Sequence, residues 1–104
     1  MKKSLGQNFF VNKNLSTQIA DIVLKEKSDV IVEIGPGTGA FTQFLTREDI
    51  KLFAIEKDDN LSQELKDLYP SVTVKNIDFL DWDFSELEPF KEKNITFFGS
   101  LPYN

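Results

Sequence analysis

The sequence contains no cysteine and no histidine. Within it, a disulfide framework, a Cys/His zinc site and a cysteine or histidine nucleophile or base are therefore excluded. No apolar run approaches the length of a membrane span, and the N-terminus lacks the apolar stretch of a signal peptide, so a cytoplasmic protein is the expectation. Positive charge is also scarce. Twelve Lys and Arg stand against 17 Asp and Glu, for a formal net charge of −5, which by itself argues against a nucleic-acid surface. The deficit is uneven. Lys2, Lys3 and Lys13 all precede the first acid, Asp21, while the acids lie mostly between Glu48 and Glu92. Read from charge alone, residues 1–13 are a solvated basic arm. There is no internal repeat and no low-complexity segment.

What remains is a chain of 104 residues, 40% hydrophobic, with ten phenylalanines supplying much of its apolar volume. That suffices for one domain with a modest core and marginal stability. The arm gives way to a domain at residues 14–104. Asn14 reads as an N-cap, with Leu15, Ile19, Ile22 and Val23 on one helical face and the helix ending near Lys25–Lys27. Val30–Ile34 is a β-branched run stopped by glycine, and so a buried strand. Gly35–Gly39 is a loop, and a helix follows from Ala40 with Phe41, Phe44 and Leu45 inward. Leu52–Ile55 is a second strand, and Leu61, Leu65 and Leu68 mark a helix closed by Pro70. Val72–Ile77 is a third strand, Ser85–Phe90 a short helix, and Ile95–Phe98 a fourth strand. Strands alternating with helices predict an α/β fold with a parallel sheet and helices on both faces. In such sheets ligands bind beyond the carboxyl ends of the strands. Glu33 and Gly35, Glu56, Asp78, and Ser100 to Tyr103 all map to that edge.

Gly35-Pro36-Gly37-Thr38-Gly39 follows a strand and opens a helix, where glycines permit positive φ and close approach of a ligand. The spacing Gly35-x-Gly37-x-x-Ala40 also satisfies the dinucleotide fingerprint, and Glu56 lies near the distance of an acid that holds ribose hydroxyls. These features select a nucleoside-containing cofactor and leave NAD and S-adenosylmethionine both open, with a ligand-free tight turn as the structural alternative. Three features favour S-adenosylmethionine. Glu33 is a charge in a buried strand, placed to accept from the loop backbone or to lie near a cationic methionine group. Pro36 removes an N–H that a pyrophosphate would want and S-adenosylmethionine would not. Asp78 can accept a hydrogen bond from an adenine amine, although a solvated loop acid reads equally well there.

Ser100-Leu101-Pro102-Tyr103 suits the methylation of an exocyclic adenine amine. That amine is a poor nucleophile because its lone pair is delocalised into the ring. A polar side chain and a main-chain carbonyl can accept its N–H groups, proline can fix that carbonyl, and tyrosine can stack on the base. The competing reading is an ordinary turn with a core tyrosine.

With these residues in hand, the sequence resembles the rRNA adenine N6-dimethyltransferase family, which includes small-subunit dimethyladenosine transferases and macrolide-resistance methylases. The matching stretches are Leu5-Gly6-Gln7-Asn8-Phe9-Phe10, Val32 to Ala40, Ala54-Ile55-Glu56-Lys57-Asp58, Asp78-Phe79-Leu80 and Leu101-Pro102-Tyr103-Asn104. The resemblance implies a Rossmann-like sheet of order 3-2-1-4 and S-adenosylmethionine as cofactor, with no metal. It implies rRNA as substrate, with two methyl groups placed on each of two adjacent adenines near the 3′ end of small-subunit rRNA. Asn8 and Phe10 would close over the cofactor, Gly35 and Gly37 would line it, Glu56 would hold the ribose and Asp78 the adenine. Ser100, Leu101, Pro102 and Tyr103 would hold the target base, with Ser100 also near the cofactor. Serine stands at 100 where the family has asparagine. Family members continue beyond this point through three strands and a helical domain. The chain alone is therefore expected to bind cofactor at best, to lack turnover and to self-associate through its fourth strand. The alternatives are a non-catalytic cofactor- or ribosome-binding module and an NAD-binding domain.

Overall fold

The structure, a computed structural model, describes residues 13–99. Its elements are α1 (Lys13–Leu24), β1 (Val30–Ile34), α2 (Thr42–Leu45), β2 (Lys51–Ile55), α3 (Asp59–Leu68), β3 (Thr73–Lys75), two 3₁₀ turns at Phe79–Asp81 and Ser85–Phe90, and β4 (Ile95–Gly99). The four strands form one parallel sheet in the order β3-β2-β1-β4. Val30 is in register with Lys51 on one side and with Ile95 on the other.

Strand alternation divides the core. Ile31, Leu52 and Ala54 face one way, against Ala20 and Val23 of α1, Phe41, Leu45 of α2, and Tyr69. Val30, Val32, Phe53 and Ile55 face the other way, against Trp82, Leu87, Phe79 and Phe90. The topology accounts for the difference between the two faces. From β1 to β2 to β3 the chain steps in one direction, and right-handed crossovers keep those connections on one face. From β3 to β4 it steps back past β1, and the same handedness carries residues 76–94 over the opposite face. Helices on both faces were expected. Among the described residues the α-helices lie on one face, and the 3₁₀ segment covers the other. Aromatic rings do the covering: Phe53 meets Trp82 and Phe90 at centroid distances of 5.8 and 6.3 Å, and Trp82 meets Phe84 at 5.1 Å. Such pairs add about 0.5–1.5 kcal/mol each beyond simple burial.

Several local expectations are corrected. The buried stripe of α1 is Ser16, Ala20 and Val23, whereas Ile22 is 62% exposed. Ala20 and Val23 join Ile31 in the core, with Ile19 and Leu24 packing against it. The helix starts at Lys13, which puts Asn14 inside it. α2 begins at Thr42, not Ala40, because Gly39 closes a turn onto the Pro36 carbonyl (3.0 Å) before helical bonding starts. Leu68 is 63% exposed, and the inward position after Leu65 is taken by Tyr69, the C-cap of α3. β3 is three residues long, ending at Lys75. α3 is capped as its sequence allows: Asp58 Oδ1 accepts from the Leu61 N–H at 2.8 Å, and Lys66 sits in the last turn.

Candidate cofactor site

The carboxyl ends of β1, β2 and β3 meet around the glycine loop. Gly35, Gly37 and Gly39 have φ of 67°, 61° and 91°, the left-handed region that glycine enters without a Cβ penalty. The loop is tied to β2 at two points. The Gly35 N–H donates to the Ile55 carbonyl at 2.9 Å, extending the ladder, and the Gly37 N–H donates to Glu56 Oε1 at 3.0 Å. Among the described residues, a Cβ on Gly37 would meet nothing within 4 Å. Gly39 is the opposite case: a Cβ there would stand 3.1 Å from Tyr69 Cε2 and 3.3 Å from Leu65 Cδ2. The Gly39 side of the loop thus packs against the end of α3.

Glu56, directly after β2, is buried. Its Oε2 accepts from the Asp58 N–H at 2.9 Å while Oε1 takes the Gly37 N–H. Each carboxylate oxygen has a second lone pair, so the two backbone donors fix the orientation of the group and leave acceptor capacity for hydroxyls. Asp78, three residues after β3, is half-buried and caps the first 3₁₀ turn, its Oδ1 accepting from the Leu80 N–H at 2.9 Å. Gly35, Gly37, Glu56 and Asp78 are thus gathered at the expected edge. Asn8, Phe10, Ser100, Leu101, Pro102 and Tyr103 lie outside the described residues.

Glu33 is fully buried, and the Thr42 hydroxyl donates to its Oε1 at 2.6 Å. This buried acid therefore ties β1 to the start of α2, behind the loop. Tyr69 lies close by: burial, and then the negative charge of Glu33, push its phenol above the ordinary value. Sequence reasoning missed three residues of this site. Thr42 stands where α2 begins, and its signal in the sequence is a hydroxyl one helical turn past the glycines. Tyr69, between the last leucine of the helical face and Pro70, was given no role by the sequence. Asn76, whose side-chain Nδ2 donates to the carbonyls of Glu56 and Lys57 at 3.1 Å each, looked like part of a strand.

A pyrophosphate would fit this loop poorly. Pro36 offers no N–H, and α2 starts three residues after Gly39 and runs for four residues, too short to build the dipole that anion-binding helices present. Among the described residues there is no group of three or more His, Cys, Asp or Glu side chains able to hold a metal ion, and no helix long and apolar enough to cross a membrane.

This strand order, with a glycine loop after β1 and an acid after β2, defines a Rossmann-like α/β fold. The solved structures agree. A putative O-methyltransferase from Klebsiella pneumoniae superposes with a TM-score of 0.52 at 22% identity, over 60% of this chain and 32% of that one. DesVI from Streptomyces venezuelae gives 0.57 at 16% identity, over 79% and 35%. The family is given by the sequence itself: the family model of ribosomal RNA adenine dimethylase matches residues 1–104, and the chain belongs to that family. It is 40% identical over 104 residues to ribosomal RNA small subunit methyltransferase A of Maridesulfovibrio salexigens, covering 99% of this chain and 39% of that protein. The protein of the same name from Francisella tularensis is 38% identical over 106 residues, covering 99% and 40%. The chain spans about two fifths of the length of these relatives.

Proposed function

We propose that the protein built on this chain transfers methyl groups from S-adenosylmethionine to the N6 amine of adenine in rRNA, dimethylating adjacent adenines near the 3′ end of the small-subunit RNA. The observation that carries the cofactor half is Glu56: a buried carboxylate at the end of β2, aimed by one N–H of the glycine loop and one of its own chain. In this reading Glu56 holds the ribose hydroxyls, Gly35 and Gly37 line the methionine end, Asp78 takes the adenine amine, and Asn8 and Phe10 close over the ligand. When bound, the cofactor supplies an electrophilic methyl group on a sulfonium. Ser100 and the Leu101 carbonyl accept the N–H groups of the target amine, Pro102 fixes that carbonyl, and Tyr103 stacks on the base. The methylated amine is acidic enough to release its proton to water, so no strong base is required.

The family and the names of its relatives support the rRNA substrate, and a cytoplasmic location goes with that reading. At the other side of the sheet β4 is the edge strand among the described residues and carries Phe97 at 49% exposure. We infer that the isolated 104-residue chain pairs with itself along this strand. Two measurements test the functional reading. Transfer of labelled methyl groups to undermethylated small subunits is expected from the intact protein, and its absence would overturn the activity. Calorimetry is expected to show S-adenosylhomocysteine binding more tightly than NAD, and the reverse order would return the chain to the dinucleotide class.

A further inference from the structure

The peptide unit joining Lys57 to Asp58 is gripped from both sides. Its carbonyl oxygen accepts from Asn76 Nδ2 at 3.1 Å, and its N–H donates to Glu56 Oε2 at 2.9 Å. The same Nδ2 donates to the Glu56 carbonyl, also at 3.1 Å. The β2–β3 register ends at Ile55 opposite Lys75, and the last main-chain bond runs from the Glu56 N–H to the Lys75 carbonyl at 2.9 Å. Past that point the Asn76 amide takes the place of the ladder. An amide NH₂ carries two protons and can serve two carbonyls at once, which a hydroxyl or a carboxylate cannot do. A peptide whose carbonyl is engaged is also a better donor through its own N–H, because hydrogen bonds in series polarise one another. Asn76 thus acts on the Glu56 carboxylate without touching it. It fixes the main chain on which Glu56 sits, and it fixes the peptide that aims Oε2. Asn76 also stands two residues before Asp78, so one side chain ties the end of β2 to the segment that would read the adenine.

We propose that Asn76 is a positioning residue for the ribose of the cofactor. It holds Glu56 in the rotamer that receives the two hydroxyls, and it sets the spacing between that carboxylate and Asp78. This rests on the reading of Glu56 as the ribose acceptor. Asn76 is exposed and lies outside both core clusters, so its replacement leaves the packing of the sheet intact.

The test is a ligand-by-variant comparison on the intact protein. Calorimetry measures S-adenosylhomocysteine and its 2′,3′-dideoxy analogue on the wild type, Asn76→Ala, Asn76→Asp, Glu56→Gln and the Asn76→Ala/Glu56→Gln pair, and thermal melts confirm folding. For S-adenosylhomocysteine, Asn76→Ala is expected to weaken binding about five- to tenfold, the net worth of roughly one hydrogen bond. Asn76→Asp, isosteric but without the donors, is expected to do the same. The dideoxy analogue should bind both variants as it binds the wild type. In the Glu56→Gln background the Asn76 substitution should have no further effect, because residues acting through one contact are not additive. Equal losses for both ligands, or additive losses in the pair, overturn the proposal and make Asn76 a general structural tie. A wild type that does not distinguish the two ligands overturns the ribose role of Glu56, and the positioning role with it.

Discussion

Replacing Glu56 with alanine removes one side chain and unsettles two things at once. The residue is 6% exposed and its carboxylate accepts the Gly37 and Asp58 N–H groups in part-buried hydrogen bonds, so the substitution orphans two backbone donors. Each unsatisfied donor costs about 1–3 kcal/mol when fully buried. Here, with both hydrogen bonds part-buried, the folded state should lose about 1–2 kcal/mol in all. For a domain of this size that lowers the melting midpoint by about 4–8 °C per kcal/mol. The loss in binding is separate. Hydrogen bonds from hydroxyls to a carboxylate are worth about 1.5–3 kcal/mol, so S-adenosylhomocysteine should bind Glu56→Ala about 10- to 150-fold more weakly. Calorimetry well below the midpoint of the variant, with a melt on the same sample, separates the two effects. A folded variant with wild-type affinity would refute the ribose role and leave Glu56 as a purely structural brace of the loop. A variant that loses affinity without losing stability would show that the two backbone bonds contribute little.

Three other outcomes follow from the same geometry. Gly39→Ala should destabilise by about 1–3 kcal/mol, since it adds positive-φ strain to the close approach of Tyr69 and Leu65, whereas Gly37→Ala should cost only the strain, about 1 kcal/mol; urea unfolding of the two variants checks the order. Burial and the charge of Glu33 raise the Tyr69 phenol, so ultraviolet titration should show one tyrosine, absent in Tyr69→Phe, ionising above the ordinary value of 10.0. Because the unfolded chain then loses that proton first, the stability tied to Tyr69 should be whole below the unfolded value and fall as pH rises through the folded one, and alkaline melts that are flat in the wild type would contradict it. Phe97→Lys should shift the isolated chain toward monomer in sedimentation at several concentrations; no shift would exclude pairing through β4.

The strands were the most legible part of the sequence. Val30–Ile34 is buried at nearly every position, and a run without alternation is what a central parallel strand requires. The gathering of Gly35, Gly37, Glu56 and Asp78 at one edge was legible for the same reason, because strand ends fix where those residues stand. Helical faces were less so. Ile22 and Leu68 have the right spacing to be buried and are exposed, while the buried positions of α1 are Ser16, Ala20 and Val23 and the inward position at the end of α3 is Tyr69. Hydrophobicity counts favour the large residue, while packing favoured the one that fits. In the segment after β3 the short helix at Ser85–Phe90 was legible and is a 3₁₀ turn, while the rest is shaped by tertiary contact: Trp82 is buried against Phe53, and Phe84 is held at a φ of 62°. Asn76 could not have been found by pattern at all. Its role exists only once two strand ends that lie far apart in sequence are side by side.

The place of β1 at the centre of the sheet also bears on the order of folding. Val30 must find Lys51 on one side and Ile95 on the other, so the second closure spans about three times as much chain as the first. With loop entropy growing as the logarithm of length, that factor costs only about 1 kcal/mol more, yet it must be met before β4 brings any compensating contact. On a ribosome, β1, β2 and β3 leave the exit tunnel first and can pair while β4 is still being made. The three strand ends that carry Gly35, Glu56 and Asp78 would then come together before the strand leading to Ser100 arrives. On the proposed reading of Glu56 and Asp78, the nucleoside end of the cofactor site then forms before the place for the base, and ligand bound there stabilises the early sheet by mass action.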